Sequence, residues 1–374
     1  MSQEILSVTM PAPHDKWAHI LQTTAEALAF HTPAWLDCLC EVGNFADASR
    51  LYEFRNGRSV VLPLVRRRGL PRKLAVEASL PFGWGFGGAL VPGGLTPEEA
   101  SCILADLSGR PALITSMRPD PLAAAPWMAA VPTAMATTQR LAHVLDLEGG
   151  FEHVWEHRFA TRTRRHARRA EGQGVVIECD TTGRLMPVFY ALYWRSVDRW
   201  ARQAGQPLPL ARLRARWREP FRKYQTIAAR LGTACRVYVA WVDGKPAASI
   251  IVLHHGSNAS YWRGAMDKNL ADPSRANFLL HRRSIEDACA SGCRHYHMGE
   301  SGNSASLAYF KEGFGAEAYR YEEYHIERLP FTQLVERARN VAGRIARVRH
   351  VQPDAAETTE ATNATAVRSA GTTV

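Results

Sequence analysis

One turn occurs twice in this chain, and it limits the fold more than any other feature. Leu51-Tyr-Glu-Phe-Arg runs into Asn56-Gly57 and then Arg58-Ser-Val-Val-Leu-Pro-Leu-Val; Val237-Tyr-Val-Ala-Trp-Val runs into Asp243-Gly244 and then Pro246-Ala-Ala-Ser-Ile-Ile-Val-Leu. Asn-Gly or Asp-Gly between two β-rich runs specifies a hairpin with a type I′ turn, because both central residues must take positive φ. The surrounding elements recur in order. Ahead of the first hairpin, Thr32 caps a helix that Pro33 begins. After it come a Gly-rich run from Ser79 to Gly88, a helix over 97–108, a strand over 111–117, a loop with Trp127 and a strand over 138–147. The second hairpin is followed by a β-rich segment, Ser260–Met266, a helix over 274–291 capped by Ser274, a strand at Arg294–Met298 and a last strand at Ala318–Ile326. This order predicts an internal duplication in an α+β protein. The two units, over 1–150 and 151–330, each have a mixed β-sheet flanked by helices.

A chain of 374 residues is long for one core, and ten Trp, eleven Tyr and thirteen Phe suffice to fill two. No apolar run has the eighteen or so residues of a membrane span, and the N-terminus lacks the basic start and apolar stretch of a secretory signal. The seven cysteines are scattered without zinc-ligand spacing, so the expectation is a reduced, cytoplasmic protein without a metal. The formal charge of +10 favours anionic partners. Arginines concentrate in Phe151–Ala170 and Leu210–Leu231, as a surface for tRNA phosphates or as solvated helix faces. Residues 331–350 read as a basic amphipathic helix, for packing on the second unit or for lying on an anionic membrane. Residues 351–374 are expected to form a disordered tail. Nothing in the sequence sets the oligomeric state.

The stretch Tyr296–Gly315 carries the chemistry. A strand stops at Gly299, a loop begins with Glu300 and Ser301, and a short helix bears Tyr309, Phe310 and Lys311. An acid and a lysine thus stand beside a strand end, where grafted sites usually sit; the alternative is a pair of solvated charges. Trp262 and Arg263 are neighbours on a strand and so face opposite ways. Arg263 is either a fork for a carboxylate or phosphate or a sheet-surface ion pair. Ser274, Arg275, Ala276 and Asn277 open a helix whose amides can take a phosphate, or which is simply capped.

The hairpin-plus-helix arrangement is similar to the GNAT acyltransferase fold. Tyr261-Trp-Arg-Gly before Asn277-Phe-Leu-Leu and then Tyr309-Phe-Lys-Glu-Gly-Phe-Gly resemble the tandem FemAB-like and CelD-like branches of that superfamily. So do His31-Thr-Pro-Ala-Trp-Leu, Leu62-Pro-Leu, Ser79-Leu-Pro-Phe and the Arg164–Val175 pattern, and together they cover residues 25–328. The resemblance implies transfer of an acyl or aminoacyl group to an amine of a cell-envelope, polysaccharide-precursor or small-molecule acceptor. It matches Lys311 to the lysine of the family's Phe-Lys-x-x-Phe-Gly motif, at the acceptor or leaving-group end. In two respects the chain departs from relatives: Asn269–Asn277 lacks the usual glycine cradle for acetyl-CoA, and there is no coiled-coil arm for tRNA.

On this reading Glu300 orients or deprotonates the acceptor and Lys311 stabilises the oxyanion or leaving group. Trp262, Arg263, Asn277, Ser301, Tyr309 and Phe310 bind substrate, and Ser274, Arg275 and Ala276 hold the donor's phosphates. The leading function is that of an acyl-CoA-dependent N-acyltransferase with acetyl-CoA as donor. The alternatives are an aminoacyl-tRNA-dependent FemAB-like aminoacyltransferase and a non-catalytic GNAT-fold binding protein.

Overall fold

The computed structural model describes residues 4–328 apart from 134 and 303; the helix expected over 331–350 and the tail over 351–374 lie outside the described residues. The first half runs β1 (Ile5–Thr9), α1 (His14–Thr23), α2 (Pro33–Val42), β2 (Phe45–Asp47), β3 (Arg50–Phe54), β4 (Ser59–Leu62), β5 (Val65–Arg67), β6 (Val76–Ser79), α3 (Pro97–Ser108), β7 (Ile114–Met117), α4 (Ala125–Ala130) and β8 (Ala136–Asp146). The second half runs α5 (Gly150–His153), α6 (Thr161–Gly172), β9 (Val176–Asp180), α7 (Met186–Gln203), α8 (Leu208–Arg218), α9 (Phe221–Leu231), β10 (Cys235–Val242), β11 (Lys245–His255), β12 (Asn258–Met266), α10 (Lys268–Ser274), α11 (Ala276–Ala290), β13 (His295–Glu300), α12 (Ala305–Glu312) and β14 (Glu317–Glu327). Among the described residues no helix is long and apolar enough to cross a membrane.

Local signals act largely as read. Thr32 accepts a hydrogen bond from the Trp35 amide at 3.2 Å, and Pro33 fills the first helical position, where its missing N–H is no loss. Asp243 and Gly244 have φ of 48° and 71°, as a type I′ turn requires. The first hairpin differs. Only Gly57 there is left-handed, at 81°, and its N–H donates to Phe54 O at 3.0 Å while Phe54 N–H donates to Arg58 O at 2.9 Å. The turn is therefore one residue longer and ends on a glycine bulge. Two further expectations change. Glu219 and Pro220 break the basic segment Leu210–Leu231 into α8 and α9. Ser274 ends α10 rather than capping α11; Arg275, in the left-handed region at φ 58°, joins the two helices.

The main sheet has eleven strands in the order β2-β5-β6-β7-β14-β8-β13-β12-β11-β10-β9, while β3 and β4 join β1 in a separate three-stranded sheet. Among the described residues two neighbouring pairs in this order are parallel, β6 with β7 and β12 with β13, and the others are antiparallel. Between them lies an exchange. The last strand of the first half, β8, pairs with β13 of the second, and the last strand of the second, β14, pairs with β7 of the first. β8 and β14 then pair with each other from Glu317↔Val144 to His325↔Ala136. An Arg140–Glu323 ion pair and a Thr138–His325 hydrogen bond of 3.1 Å fix that register. One hydrophobic cluster also spans both halves, packing Trp35 and Trp84 with Tyr224, Trp262 and Tyr321.

Candidate active site

Two β-bulges open the sheet where the halves meet. β12 and β13 pair only from Asn258↔His295 to Ser260↔His297. Immediately beyond, each strand carries an extra residue. On β12 Trp262 falls between the pairs Val252↔Tyr261 and Ile251↔Arg263; on β13 Met298 falls between His297↔Val144 and Gly299↔His143. Bulges bend strands and end pairing, so the two strands splay. Gly299, with φ of 73°, holds a conformation that a side chain resists.

On one side of the splay lies a cavity of about 370 Å³ between the halves. Its first-half wall is the Gly-rich loop Leu80–Gly88. A Cβ at Gly85 would stand 2.4 Å from the Phe30 ring, so the glycine lets the loop close down on the core. Its second-half floor is Tyr261–Gly264, with His297–Glu300 and Lys311 alongside. The Glu300 carboxylate accepts a hydrogen bond from the Tyr321 hydroxyl of β14 and faces the Arg118 guanidinium at 3.5 Å. Lys311 is 2% exposed, and its ammonium donates to Gly299 O at 3.0 Å and Glu300 O at 2.7 Å. Burial pushes the lysine down to about 7, with Glu300 partly offsetting it.

On the other side a channel of about 130 Å³ runs between β12 and α12, past Asn277, His281 and Phe310. Tyr261, Gly264, Met298, Leu307 and Lys311 line both this channel and the interface cavity. Asn277 and Phe310 also line a mouth of about 70 Å³ formed by Arg162, His166, Arg275 and Tyr309. The Arg162 guanidinium sits 3.1 Å over the Tyr309 ring. Burial, and then the charges of Arg275, Arg165, Arg169 and Arg162, hold the His166 imidazole below its ordinary range. That accumulation of cations stands at the N-terminus of α11, itself an end of positive potential.

Two buried clusters brace the interface cavity. Glu219 takes Arg263 at 2.9 Å on one oxygen, and Lys223 and Tyr224, each at 2.9 Å, on the other. Burial alone would raise this carboxyl; Arg263 and Lys223 outweigh it and keep it low. Arg263 and Trp262 both donate to Gly83 O, at 2.6 and 3.3 Å, tying the floor to the Gly-rich loop. The second cluster is His297, whose Nδ1 lies 3.7 Å from Asp120 of the first half. Burial raises Asp120 to about 7 and lowers His297 to about 3, so both are neutral near pH 7 on the acid side.

Residues 157–321 match the acetyltransferase (GNAT) domain family. Among solved structures the fold is similar to that of FemX, with a TM-score of 0.62 at 11% identity over 88% of this chain and 100% of that one. The second half carries a GNAT acetyltransferase domain, in a fold similar to that of FemX. Weaker similarities include the C-terminal domain of a putative lysylphosphatidylglycerol synthetase from Agrobacterium fabrum (TM-score 0.49, 12% identity, 91% and 98% of the two chains). A tandem GNAT protein from the clavulanic acid biosynthesis pathway gives a TM-score of 0.44 at 15% identity, over 87% and 99%. No curated protein matches the sequence significantly.

Around this GNAT domain the expected site residues divide into three groups. Glu300, Lys311, Trp262 and Arg263 line the interface cavity. Asn277, Phe310, Tyr309 and Arg275 line the channel and its mouth. Ser301, Ser274 and Ala276 line neither. Ser301 shares a hydrogen bond of 2.9 Å with the buried His143, Ser274 donates to Leu270 O at 2.5 Å, and Ala276 is fully buried. Arg118, Asp120 and Tyr321 escape a reading of the second unit alone, because Arg118 and Asp120 come from the first half and Tyr321 from the exchanged strand. Asp120 reaches His297 only through the tertiary fold. The signal in the sequence was Met117-Arg-Pro-Asp, charged residues just past a strand end.

Proposed function

We propose that this GNAT acyltransferase transfers an acyl group from acyl-CoA to an amine of a small-molecule or glycan-precursor acceptor, as a CelD-like N-acyltransferase. The observation carrying this reading is that Lys311 lines both the channel and the interface cavity. A donor entering from the arginine-rich mouth and an acceptor entering from between the halves meet at its ammonium. Arg162 and Arg275 fit the donor's phosphates in place of a glycine cradle, since planar guanidinium forks bind phosphate with charge-assisted hydrogen bonds.

The acceptor's amine nitrogen attacks the thioester carbon, a C–N bond forms and the C–S bond breaks. Glu300, held by Tyr321 and Arg118, takes the amine's proton. Lys311, whose ammonium is made more acidic by burial, gives a proton to the departing thiolate. Net transfer is one proton from nitrogen to sulfur, so the protein returns to its starting state once Glu300 passes its proton back to Lys311.

Calorimetric titration of acetyl-CoA tests the donor. Binding is expected, and it should weaken at least about tenfold in Arg162→Ala, about what one charge-assisted hydrogen bond contributes. The FemX-like fold favours a second reading, aminoacyl transfer from tRNA, with the arginines of α6 on phosphates. Heat with aminoacyl-tRNA and none with any acyl-CoA would establish that one instead. Heat with neither leaves a GNAT-fold binding protein.

A further inference from the structure

We infer that α8 is a membrane-docking helix, which seats the protein on an anionic phospholipid surface. Its sequence, Leu208-Pro-Leu-Ala-Arg-Leu-Arg-Ala-Arg-Trp-Arg, turns two faces in opposite directions. Ala211 and Ala215 pack inward, with Ala215 8% exposed. Leu210, Leu213 and Trp217, spaced i, i+3, i+7, are 42%, 55% and 82% exposed. At about 100° per residue they form one stripe pointing almost straight away from the packed face. Among the described residues nothing buries this stripe, and Leu213 borders only an open cavity toward Trp194 and Phe221.

The arginines fall on its two shoulders: Arg214 and Arg218 on one, Arg212 and Arg216 on the other. Arg212 pairs with Asp198 at 2.7 Å. Among the described residues no carboxylate lies within ion-pair distance of Arg214, Arg216 or Arg218. Leucines and a tryptophan in the middle, with unpaired guanidiniums at the sides, match the layers of a leaflet. The apolar stripe enters the acyl boundary, the indole sits at the headgroup level, and the arginines reach anionic phosphates. A nucleic acid would engage the arginines and stack on Trp217 but would leave Leu210 and Leu213 in water. A second copy of α8 would bury the stripe only by setting one set of arginines against another. Charge and chemistry together therefore select the lipid surface.

α8 ends at Arg218, one residue before Glu219, the carboxylate that anchors Arg263 on the cavity floor. A docked helix would thus hold the interface cavity close to the membrane.

The test is co-sedimentation of the full chain with phosphatidylcholine vesicles, with and without phosphatidylglycerol, at low and high salt, beside an RNA-binding titration. Expected are binding to the anionic vesicles only, weakening with salt, and a loss of at least about tenfold in both Leu213→Ser/Trp217→Ser and Arg214→Glu/Arg218→Glu. Both double variants alter exposed positions and should melt with the wild type; circular dichroism checks this. Unchanged vesicle binding in either folded variant overturns the proposal, since the attachment then lies elsewhere. So does absence of vesicle binding, whether accompanied by RNA binding or by a dimer that the first variant dissolves.

Discussion

Replacing Lys311 by methionine should change how stability depends on pH, and the magnitude follows from burial. In the folded protein the Lys311 ammonium is pushed from its ordinary value of 10.5 down to about 7. Its partners are the carbonyls of Gly299 and Glu300, not a carboxylate in contact. Below about pH 7 both folded and unfolded chains carry the proton, and the buried charge is a constant cost. Between about 7 and 10.5 the unfolded chain keeps a proton that the folded chain has released, so unfolding becomes harder as pH rises. The gap, at about 1.4 kcal/mol per pH unit, corresponds to roughly 5 kcal/mol over the whole window. Lys311→Met removes this contribution and leaves two carbonyls without their donor, an offset of about 1–3 kcal/mol each that does not vary with pH. Urea titrations of both proteins between about pH 6 and about pH 9.5 should therefore show their difference flat below 7 and moving steadily in favour of the wild type above it. A difference that stays flat above pH 7 would refute the buried-charge argument, and with it the acidity assigned to Lys311 in the transfer step.

Two further substitutions probe the frame around the site. Glu219→Ala strands Lys223, 2% exposed, beside Arg263 with no carboxylate between them; a loss of about 3–5 kcal/mol is expected by chemical denaturation, and a loss below about 1 kcal/mol would show that the cluster relaxes. Gly299→Ala forces a side chain into φ of 73° at the bulge; a cost of about 1–2 kcal/mol is expected, with kcat falling more than KM for acyl-CoA rises. Equal changes in the two constants would place Gly299 outside the chemistry.

What the sequence determined by itself is local. The Asp-Gly turn needs two positive φ values and names its own hairpin; Thr32-Pro33 satisfies orphan amides at a helix start; the acid and the lysine lie eleven residues apart across one strand end and one helix. Each depends on neighbours a few residues away, so each is legible in order. The repeated order of elements likewise pointed to the α+β fold and the GNAT likeness. Tertiary structure decided the rest. Arg118 is 182 positions from Glu300 and meets it only because β14 and β8 change places between the halves. Ser274 looked like a cap until a short helix formed ahead of it. Arg263 pairs with Glu219, 44 residues earlier, and ties the cavity floor to the Gly-rich loop, a contact that only the tertiary fold brings about. The sequence sets Lys311 near Glu300, but only packing removes its water. Burial and long-range pairing are properties of the assembled surface, and no window of sequence contains them.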